Sequence, residues 1–236
     1  MIKQGKIQYT MIDQEGISVN TEVNKVSWDQ SLREVMEQLG KAEPTPGGGS
    51  VSAIVAALGA AMTSMTAHFS QGEEYKEVEV EVEQALQDMA KIRSACEHLM
   101  DEDMESFGQY IEALRLPHRT EKEQHDRKET LQTMKIQSID IPLQLMECCL
   151  YGLYSASPLI EICNRTVLSD VGISLILFEA AAQSLSLTVQ INLVTLSNEE
   201  QQRYYEQRAD LLMQKINKLK QTLLVQVQQR IVSDHA

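Results

Sequence analysis

Apolar positions recur every three or four residues through most of the chain, which is the spacing of one face of an α-helix. Two stripes predict very long helices: Val78, Val82, Ala85, Met89, Ile92, Cys96 and Leu99 in the first, and Tyr205, Ala209, Leu212, Ile216, Leu219, Leu223 and Val227 in the second. Apolar helical runs also cover residues 50–67, 143–162 and about 170–196. The pattern predicts an all-α protein built from long helices. The last stripe is suited to packing on a bundle or on a second subunit.

The N-terminal residues follow a different pattern. Between residues 7 and 23, apolar and polar positions alternate on both sides of a turn-forming Asp13-Gln14-Glu15-Gly16. This alternation predicts a small β-hairpin, with a partly ordered tail as the alternative. Helical spacing starts at Ser27, which is suited to cap a first helix. We therefore divide the chain into an N-terminal extension over residues 1–26 and one helical domain over residues 27–236.

Further signals mark where the helices begin. Thr120 and Glu123 have the spacing of a capping box. Pro142 interrupts an apolar helical run and predicts a kink or a new helix start at that point. Ser169 or Asp170 is placed to begin the next apolar helix.

The most specific stretch is Pro44-Thr45-Pro46-Gly47-Gly48-Gly49-Ser50, directly before a helix of small residues. The prolines restrict the backbone conformation of the residues that lead into the turn, and the glycines allow conformations that other residues rarely adopt. Ser50 is suited to cap the helix. Backbone N–H groups of such a turn converge at a helix N-terminus, where they favour negative charge. The same order also fits a flexible turn before an ordinary N-cap. No lysine follows with the spacing of a phosphate-binding loop, so a nucleoside triphosphate is disfavoured.

Two aspartates occupy positions with contrasting environments. Asp103 continues the first long stripe, so its carboxyl group is expected on a buried face, where it serves as an acid or base of raised pKa or as a structural hydrogen-bond partner. Asp170 lies at a helix start, where the helix dipole keeps a carboxylate ionised, or where it acts as a plain N-cap. Two carboxylates in opposite environments suit an acid and its electrostatic partner. Asn192 is a polar residue inside an apolar helix.

Charge narrows the choice of partners. The 236 residues include 34 acidic and 21 basic side chains, giving a net charge of −13, which argues against binding to nucleic acid or to an anionic membrane. The uncharged run 50–67 has the small residues of a tightly packed internal helix rather than of a membrane span. Residues 115–128 are locally basic, which indicates either a positive patch or a solvated helix start.

The cysteines and the N-terminus bear on the compartment. Cys96, Cys148, Cys149 and Cys163 have no metal-ligand spacing and lie in apolar helical stretches, which predicts reduced thiols and no metal site. The N-terminus has no apolar core of a signal peptide. We expect a cytoplasmic protein.

Several short motifs together resemble one family, the formiminotetrahydrofolate cyclodeaminase and methenyltetrahydrofolate cyclohydrolase family. They occur in family order and span roughly residues 28–200. The motifs are the glycine turn at 44–50, Asp103-x-x-Ser106-Phe107, Leu116-Pro117, Ile141-Pro142-Leu143, Ser169-Asp170-Val171-Gly172 and Val189-x-Ile191-Asn192-Leu193.

The resemblance implies an up-and-down helical bundle that forms a homodimer or a higher assembly and binds a tetrahydrofolate derivative between its helices. The reactions implied are cyclisation of 5-formiminotetrahydrofolate to 5,10-methenyltetrahydrofolate with loss of ammonia, and hydrolysis of the methenyl compound to 10-formyltetrahydrofolate. The folate is the substrate, and no further cofactor is implied. Both reactions pass through a tetrahedral carbon and need proton transfers, for which a carboxyl group is suited.

The candidate site follows from the resemblance and the residues together. Asp103 and Asp170 are the catalytic candidates. The substrate-binding candidates are Pro46, Gly47, Gly48, Gly49, Ser50, His118, Asn164 and Asn192. His118 follows the Leu-Pro pair and is suited to titrate near neutral pH or to bind the folate carboxylates, with an ordinary surface histidine as the alternative.

The sequence also departs from the family pattern. Relatives usually carry Lys at the position of His118, favour Asn at the position of Thr188, and have Gly-Asn-x-Asn where this chain has Cys163-Asn164-Arg165-Thr166. Compared with the family pattern, this chain therefore lacks the fixed positive charge of the lysine and the side-chain amide groups of the asparagines. These differences favour an alternative hypothesis, a non-catalytic folate-binding or regulatory helical dimer with a degenerate site. A purely structural bundle that assembles through residues 200–231 is a third reading.

Overall fold

The computed structural model describes residues 7–12, 18–23 and 26–233. Two strands, β1 (Ile7–Ile12) and β2 (Ser18–Val23), pair antiparallel with Ile7 opposite Val23. The connecting residues 13–17 lie outside the described part of the chain. The β-hairpin and the domain division at residue 26 therefore stay predictions.

Helices and the turns that connect them make up the rest of the described chain, and the predicted all-α class is confirmed for it. The helices are α1 (Leu32–Leu39), α2 (Gly48–His68), α3 (Glu79–Leu114), α4 (Glu121–Ala156), α5 (Leu159–Ile162), α6 (Leu168–Leu193) and α7 (Glu199–Ser233). Short 3₁₀ segments at Glu73–Val78 and Arg165–Val167 precede α3 and α6. The capping box that begins α4 at Thr120 is present as predicted.

The long helices run up and down. Side chains join the end of α4 to the start of α3, where Ser155 Oγ donates to Asp88 Oδ2 at 3.1 Å. They also join the start of α4 to the start of α7, where Gln132 Nε2 donates to Gln201 Oε1 at 3.1 Å. One end of the bundle, here called the glycine end, therefore carries the start of α2, the end of α3, the start of α4 and the end of α6. The opposite end carries the 3₁₀ segments.

Small residues allow the central helices to approach closely. Helix α2 buries Ala53, Ala56 and Ala60 completely, and its main partners are α6 and α3. The ring of Phe178 on α6 fills the space left by the missing side chains of Gly59 and Gly152. A Cβ atom on Gly152 would stand 2.5 Å from Phe178 Cζ. The apolar, uncharged helix is thus an internal packing element, as its composition predicts.

Three predicted helix starts are displaced in the structure. Helix α1 begins after Ser31, whose side chain forms a capping box with Glu34, so Ser27 is not the cap. Helix α2 begins at Gly48, with Gly47 as a cap that has no side chain to contribute, so Ser50 lies inside the first turn. Helix α6 begins at Leu168, because the preceding 3₁₀ turn leads directly into it, and Asp170 is therefore no N-cap.

Pro142 neither ends nor restarts α4, which is continuous through it. Proline has no N–H, so the carbonyl oxygen of Ser138, four residues earlier, loses its partner within the helix. Asn192 of α6 supplies the missing donor: its Nδ2 lies 2.7 Å from Ser138 O. A side chain of α6 thus stabilises α4 at its proline, which explains one polar residue of the apolar helix.

Two segments, Gly48–His68 and Arg165–Leu193, are long and apolar enough to cross a membrane by length and composition alone. Their most apolar windows are 56% and 44% buried within the bundle. The two helices pack on each other, and both carry exposed apolar side chains. This surface, here called the α2–α6 face, comprises Val51, Leu58, Ile173, Ile176, Leu187, Ile191 and Val194.

Candidate active site

A cavity of about 370 Å³ opens at the glycine end of the bundle, between α2, α3, α4 and α6. Its size is that of a small-molecule site. Its walls combine the glycine turn with aromatic, aliphatic and hydroxyl groups: Pro44, Thr45, Gly47, Gly48, Gly49, Asp103, Ser106, Phe107, Tyr110, Met134, Lys135, Ser138, Thr188, Ile191, Asn192 and Thr195. Such a lining suits a largely planar organic molecule that carries a few polar groups.

Asp103 is the acidic side chain of this cavity. Burial raises the pKa of its carboxyl group to about 6, because removal from water disfavours the charged form. No hydrogen bond or ion pair from the described residues to this carboxyl group opposes the effect. The carboxyl group of Asp103, which lies on the predicted stripe of α3, can therefore both accept and return a proton near neutral pH.

The glycine turn fits closely around this carboxyl group. A Cβ atom on Gly49 would stand 2.5 Å from Asp103 Oδ2 and 2.9 Å from its Cγ, so a side chain at position 49 and the carboxyl group cannot occupy this space together. The first backbone bond of α2 joins Val51 N to Gly47 O. The N–H groups of residues 48–50 therefore have no partner within the helix. These N–H groups form the positive end of the α2 dipole, which lies beside the carboxyl group of Asp103.

Other predicted residues are placed differently. Pro46 and Ser50 are buried beside the turn and do not line the cavity, and Ser50 Oγ is a fully buried hydroxyl without a hydrogen-bond partner among the described residues. Asn192 lines the cavity, but its amide nitrogen is held by Ser138 O. His118 is exposed in the α3–α4 connection, where Gln124 Nε2 donates to its carbonyl oxygen at 3.2 Å, and does not line the cavity.

Asp170 and Asn164 lie at the opposite end of the bundle. Between Asp170 and Asn192 lie six turns of α6, or about 33 Å along its axis. Asn164 caps the 3₁₀ turn before α6, and its N–H donates to Ser70 Oγ at 2.8 Å. The predicted pairing of Asp103 with Asp170 in one site is thus not formed within a single chain, because α6 separates its motifs by its whole length.

Lys135 is the main residue that the sequence analysis missed. Among the described residues lining the cavity it is the sole Lys, Arg or His, and its Nζ donates to Thr195 O at 2.9 Å. It lies seven residues after Lys128 of the basic segment, which is two helical turns and hence the same face of α4. That spacing was the available signal, but the sequence does not say which face of α4 meets the cavity.

The fold and the cavity define a helical-bundle protein with a small-molecule site that contains one carboxyl group of raised pKa. Residues 31–211 match the sequence model of the family described as formiminotransferase-cyclodeaminase. The chain belongs to this family, and the family predicted from the sequence is confirmed.

Two curated relatives and one crystal structure illustrate the similarity. The chain is 30% identical over 165 residues to the methenyltetrahydrofolate cyclohydrolase of Methylorubrum extorquens, covering 70% of this chain and 79% of that protein. It is 28% identical over 187 residues to the formimidoyltransferase-cyclodeaminase of Mus musculus, covering 79% of this chain but only 35% of that longer protein. The crystal structure of formiminotetrahydrofolate cyclodeaminase from Thermotoga maritima superposes with a TM-score of 0.76 at 24% identity, over 86% of this chain and 98% of that one, and shows the same fold.

Proposed function

We propose that this protein is a folate-dependent enzyme of one-carbon metabolism that forms or hydrolyses 5,10-methenyltetrahydrofolate. The observation that carries the proposal is the Asp103 carboxyl group, with its pKa raised to about 6, held against the glycine turn in the cavity. The curated relatives named above as a cyclohydrolase and a cyclodeaminase support the reaction class.

In the hydrolysis, water attacks the methenyl carbon between N5 and N10 of the substrate. Ionised Asp103 accepts one proton from this water as the new C–O bond forms, which gives a tetrahedral carbon. The protonated carboxyl group then gives a proton to N5 as the carbon–N5 bond breaks, and the remaining hydroxyl proton leaves to solvent as the formyl group forms on N10. Near the methenyl cation, the ionised carboxylate also stabilises the positive charge of the substrate.

In the cyclisation, N10 attacks the carbon of the formimino group on N5, whose terminal nitrogen enters the reaction protonated, as =NH2+. Asp103 accepts the proton of N10 and passes it to the departing nitrogen, which leaves as ammonia. The same carboxyl group thus serves both reactions, because each needs one proton removed from a nucleophile and one delivered to a leaving nitrogen. Phe107 and Tyr110 line the cavity along α3 and are suited to pack on the ring systems of the folate.

A spectrophotometric assay of the purified protein tests this function. We expect the absorbance of 5,10-methenyltetrahydrofolate to fall on adding enzyme, or to rise when 5-formiminotetrahydrofolate is supplied. Calorimetry with the same compounds separates binding from turnover. Saturable binding without turnover would favour the non-catalytic folate-binding dimer, and absence of both would contradict the folate function.

We further propose that the protein is a homodimer joined through the α2–α6 face. Leu187 and Ile191 are each 66% exposed and Val194 is 73% exposed, which is a large apolar surface to leave in water. Ile191 belongs both to this face and to the cavity wall. A second copy on the face therefore closes one side of the cavity, so that assembly and substrate binding are coupled.

The remaining expectations concern compartment and partners. All four cysteines are free thiols, which supports a cytoplasmic protein. The net charge of −13 supports the proposal that neither nucleic acid nor an anionic membrane is a partner. No group of three or more His, Cys, Asp or Glu side chains within the described ranges has the arrangement of a metal site.

A further inference from the structure

A groove outside the cavity continues it along α4. The groove lies between the first turns of α4 and the connection from α6 to α7, and it is lined by His125, Lys128, Glu129, Gln132, Thr133, Ser197, Asn198 and Gln201. The cavity reaches α4 at Met134, Lys135 and Ser138. Lys135 stands where the two meet, since Gln132 belongs to the groove and Thr195, which accepts the lysine hydrogen bond, belongs to the cavity.

The direction of the helices orders the cavity. Along α3 the lining runs from Asp103 to Tyr110, toward the end of that helix. Helix α4 is antiparallel to α3, so Ser138, Lys135 and Lys128 follow one another in the same direction. Asp103 therefore marks one end of the path, Lys135 its exit, and Lys128 lies about 10 Å further along the axis of α4.

The charges along this path change sign. The reactive end holds the Asp103 carboxyl group, which suits a cationic or proton-donating part of a ligand. At the exit, Lys135 has a carbonyl oxygen and no carboxylate as its partner. Lys128 has no ion-pair partner in the described part of the chain, and the neighbouring acid Glu129 lies 3.4 Å from His125 Nε2. Two lysines without a carboxylate partner therefore lie on one face of α4, although the protein has a net charge of −13, and such a pair favours the binding of carboxylates.

We propose that Lys135 and Lys128 bind the glutamate end of the folate substrate, so that its ring system points to Asp103 and its carboxylates lie on α4. This inference rests on the proposed function and adds the orientation of the substrate to it. The glutamate end carries two carboxylates at neutral pH, whereas a pteroate compound ends before them. The groove is therefore a specificity site for the glutamate group, separate from the reacting carbon.

The test compares 5,10-methenyltetrahydrofolate with 5,10-methenyltetrahydropteroate, which lacks the glutamate, in wild type and in Lys135→Gln and Lys128→Gln. Loss of a charge-assisted hydrogen bond is expected to raise KM for the folate about tenfold in Lys135→Gln, and severalfold in the more exposed Lys128→Gln. KM for the pteroate compound and kcat for both substrates should change less than about twofold. Lys135→Arg, which keeps the charge, should restore much of the folate affinity.

Lys122→Gln is the matched control, because Lys122 is an exposed lysine of α4 that lines neither the cavity nor the groove. Equal KM values for the two substrates in wild type, or equal effects of Lys135→Gln on both, would overturn the orientation and leave the proposed function standing. Absence of turnover and of calorimetric binding with either compound would overturn both.

Discussion

The reactivity that we propose for the candidate site depends on a single carboxyl group. Asp103 lies on the inward-facing stripe of a long helix, beside backbone N–H groups at the start of α2, in the cavity at the glycine end of the bundle. Burial places the pKa of this group at about 6, close to the pH at which a general base exchanges protons most effectively. Two predictions follow from this residue, one for activity and one for stability.

Asp103→Asn should lower kcat for the methenyl or formimino substrate by at least about 100-fold, because the amide cannot accept the proton of the nucleophile. In wild type, kcat/KM should fall as the pH drops below about 6, where the carboxyl group is protonated. Steady-state kinetics between pH 5 and 8 measure both effects. Asp101→Asn is the control, since Asp101 is exposed on the same helix and does not line the cavity. Undiminished turnover in Asp103→Asn would remove this residue from the mechanism.

The same substitution should stabilise the fold at alkaline pH. The native pKa lies above the unfolded value of about 3.9, so the carboxyl group binds its proton more tightly in the folded state. Its ionisation therefore costs stability as the pH rises from about 4 to about 6, and the cost stays constant above that. Asp103→Asn is expected to gain about 1 to 3 kcal/mol over wild type at pH 8 and little at pH 4, measured by urea unfolding. A gain that does not depend on pH would contradict a raised pKa.

At the scale of the element, the continuity of α4 depends on another helix. Pro142 removes the donor for Ser138 O, and the Asn192 side chain of α6 replaces it at 2.7 Å. The bond fixes α4 against the end of α6 at the wall of the cavity, where Ser138 and Asn192 both contribute. Ser138 O therefore uses one of the two N–H donors of Asn192 for a structural bond, and the second N–H and Oδ1 are left for a ligand in the cavity.

A double-mutant cycle tests this assignment. Asn192→Ala should cost about 1 to 3 kcal/mol of unfolding free energy, because Ser138 O loses its donor. In a Pro142→Ala background the new N–H can reach Ser138 O, so the cost of Asn192→Ala should fall by about 1 kcal/mol or more. Gln190→Ala, an exposed amide on the same helix, should have little effect in either background. Additive effects of the Pro142 and Asn192 substitutions would show that the two residues do not share this carbonyl group.

For the whole molecule, the central question is what covers the α2–α6 face. Its exposed apolar residues are Val51 and Leu58 on α2, Ile173, Ile176, Leu187 and Ile191 on α6, and Val194 directly after α6. The face reaches the cavity at Ile191. In the homodimer that we propose, a second copy of the chain would bury the apolar groups and complete the wall of the site. A membrane is the other apolar environment that such helices fit by length and composition.

Leu187→Asp should convert the proposed dimer to a monomer, because Leu187 is 66% exposed on the face and a buried, unpaired carboxylate opposes association. Analytical ultracentrifugation measures the change, and KM for the folate should rise with it. Val80→Asp is the control: Val80 is 77% exposed on α3, away from the face. A monomeric wild type that sediments with lipid vesicles would favour the membrane instead, and a monomer without vesicle binding would contradict both occupants.

The sequence by itself determined the local features of this protein. Helical periodicity is a property of neighbouring residues, so it was enough to predict the long stripes of α3 and α7 and the inward-facing, partly buried position of Asp103. The spacing of Thr120 and Glu123 was enough to predict the capping box of α4. The glycine turn was recognisable because only glycine permits the close approach that Gly49 makes to Asp103. These features, in their order along the chain, were also enough to indicate the family.

Only the tertiary structure decided which of these features meet. Motifs at the two ends of α6 look equivalent in sequence, yet the helix separates Asp170 from Asn192 in the cavity wall by about 33 Å along its axis. Asn164 lies beyond the far end of the same helix. Lys135 enters the site, and Ser50 is buried beside it, because the antiparallel order of α2, α3, α4 and α6 determines which faces pack together. Asn192 donates to the carbonyl oxygen of Ser138, which lies 54 residues earlier in the chain and has no helical donor because residue 142 is proline. Such long-range contacts leave no periodic signal in the sequence, because packing between helices, and not local conformation, sets them.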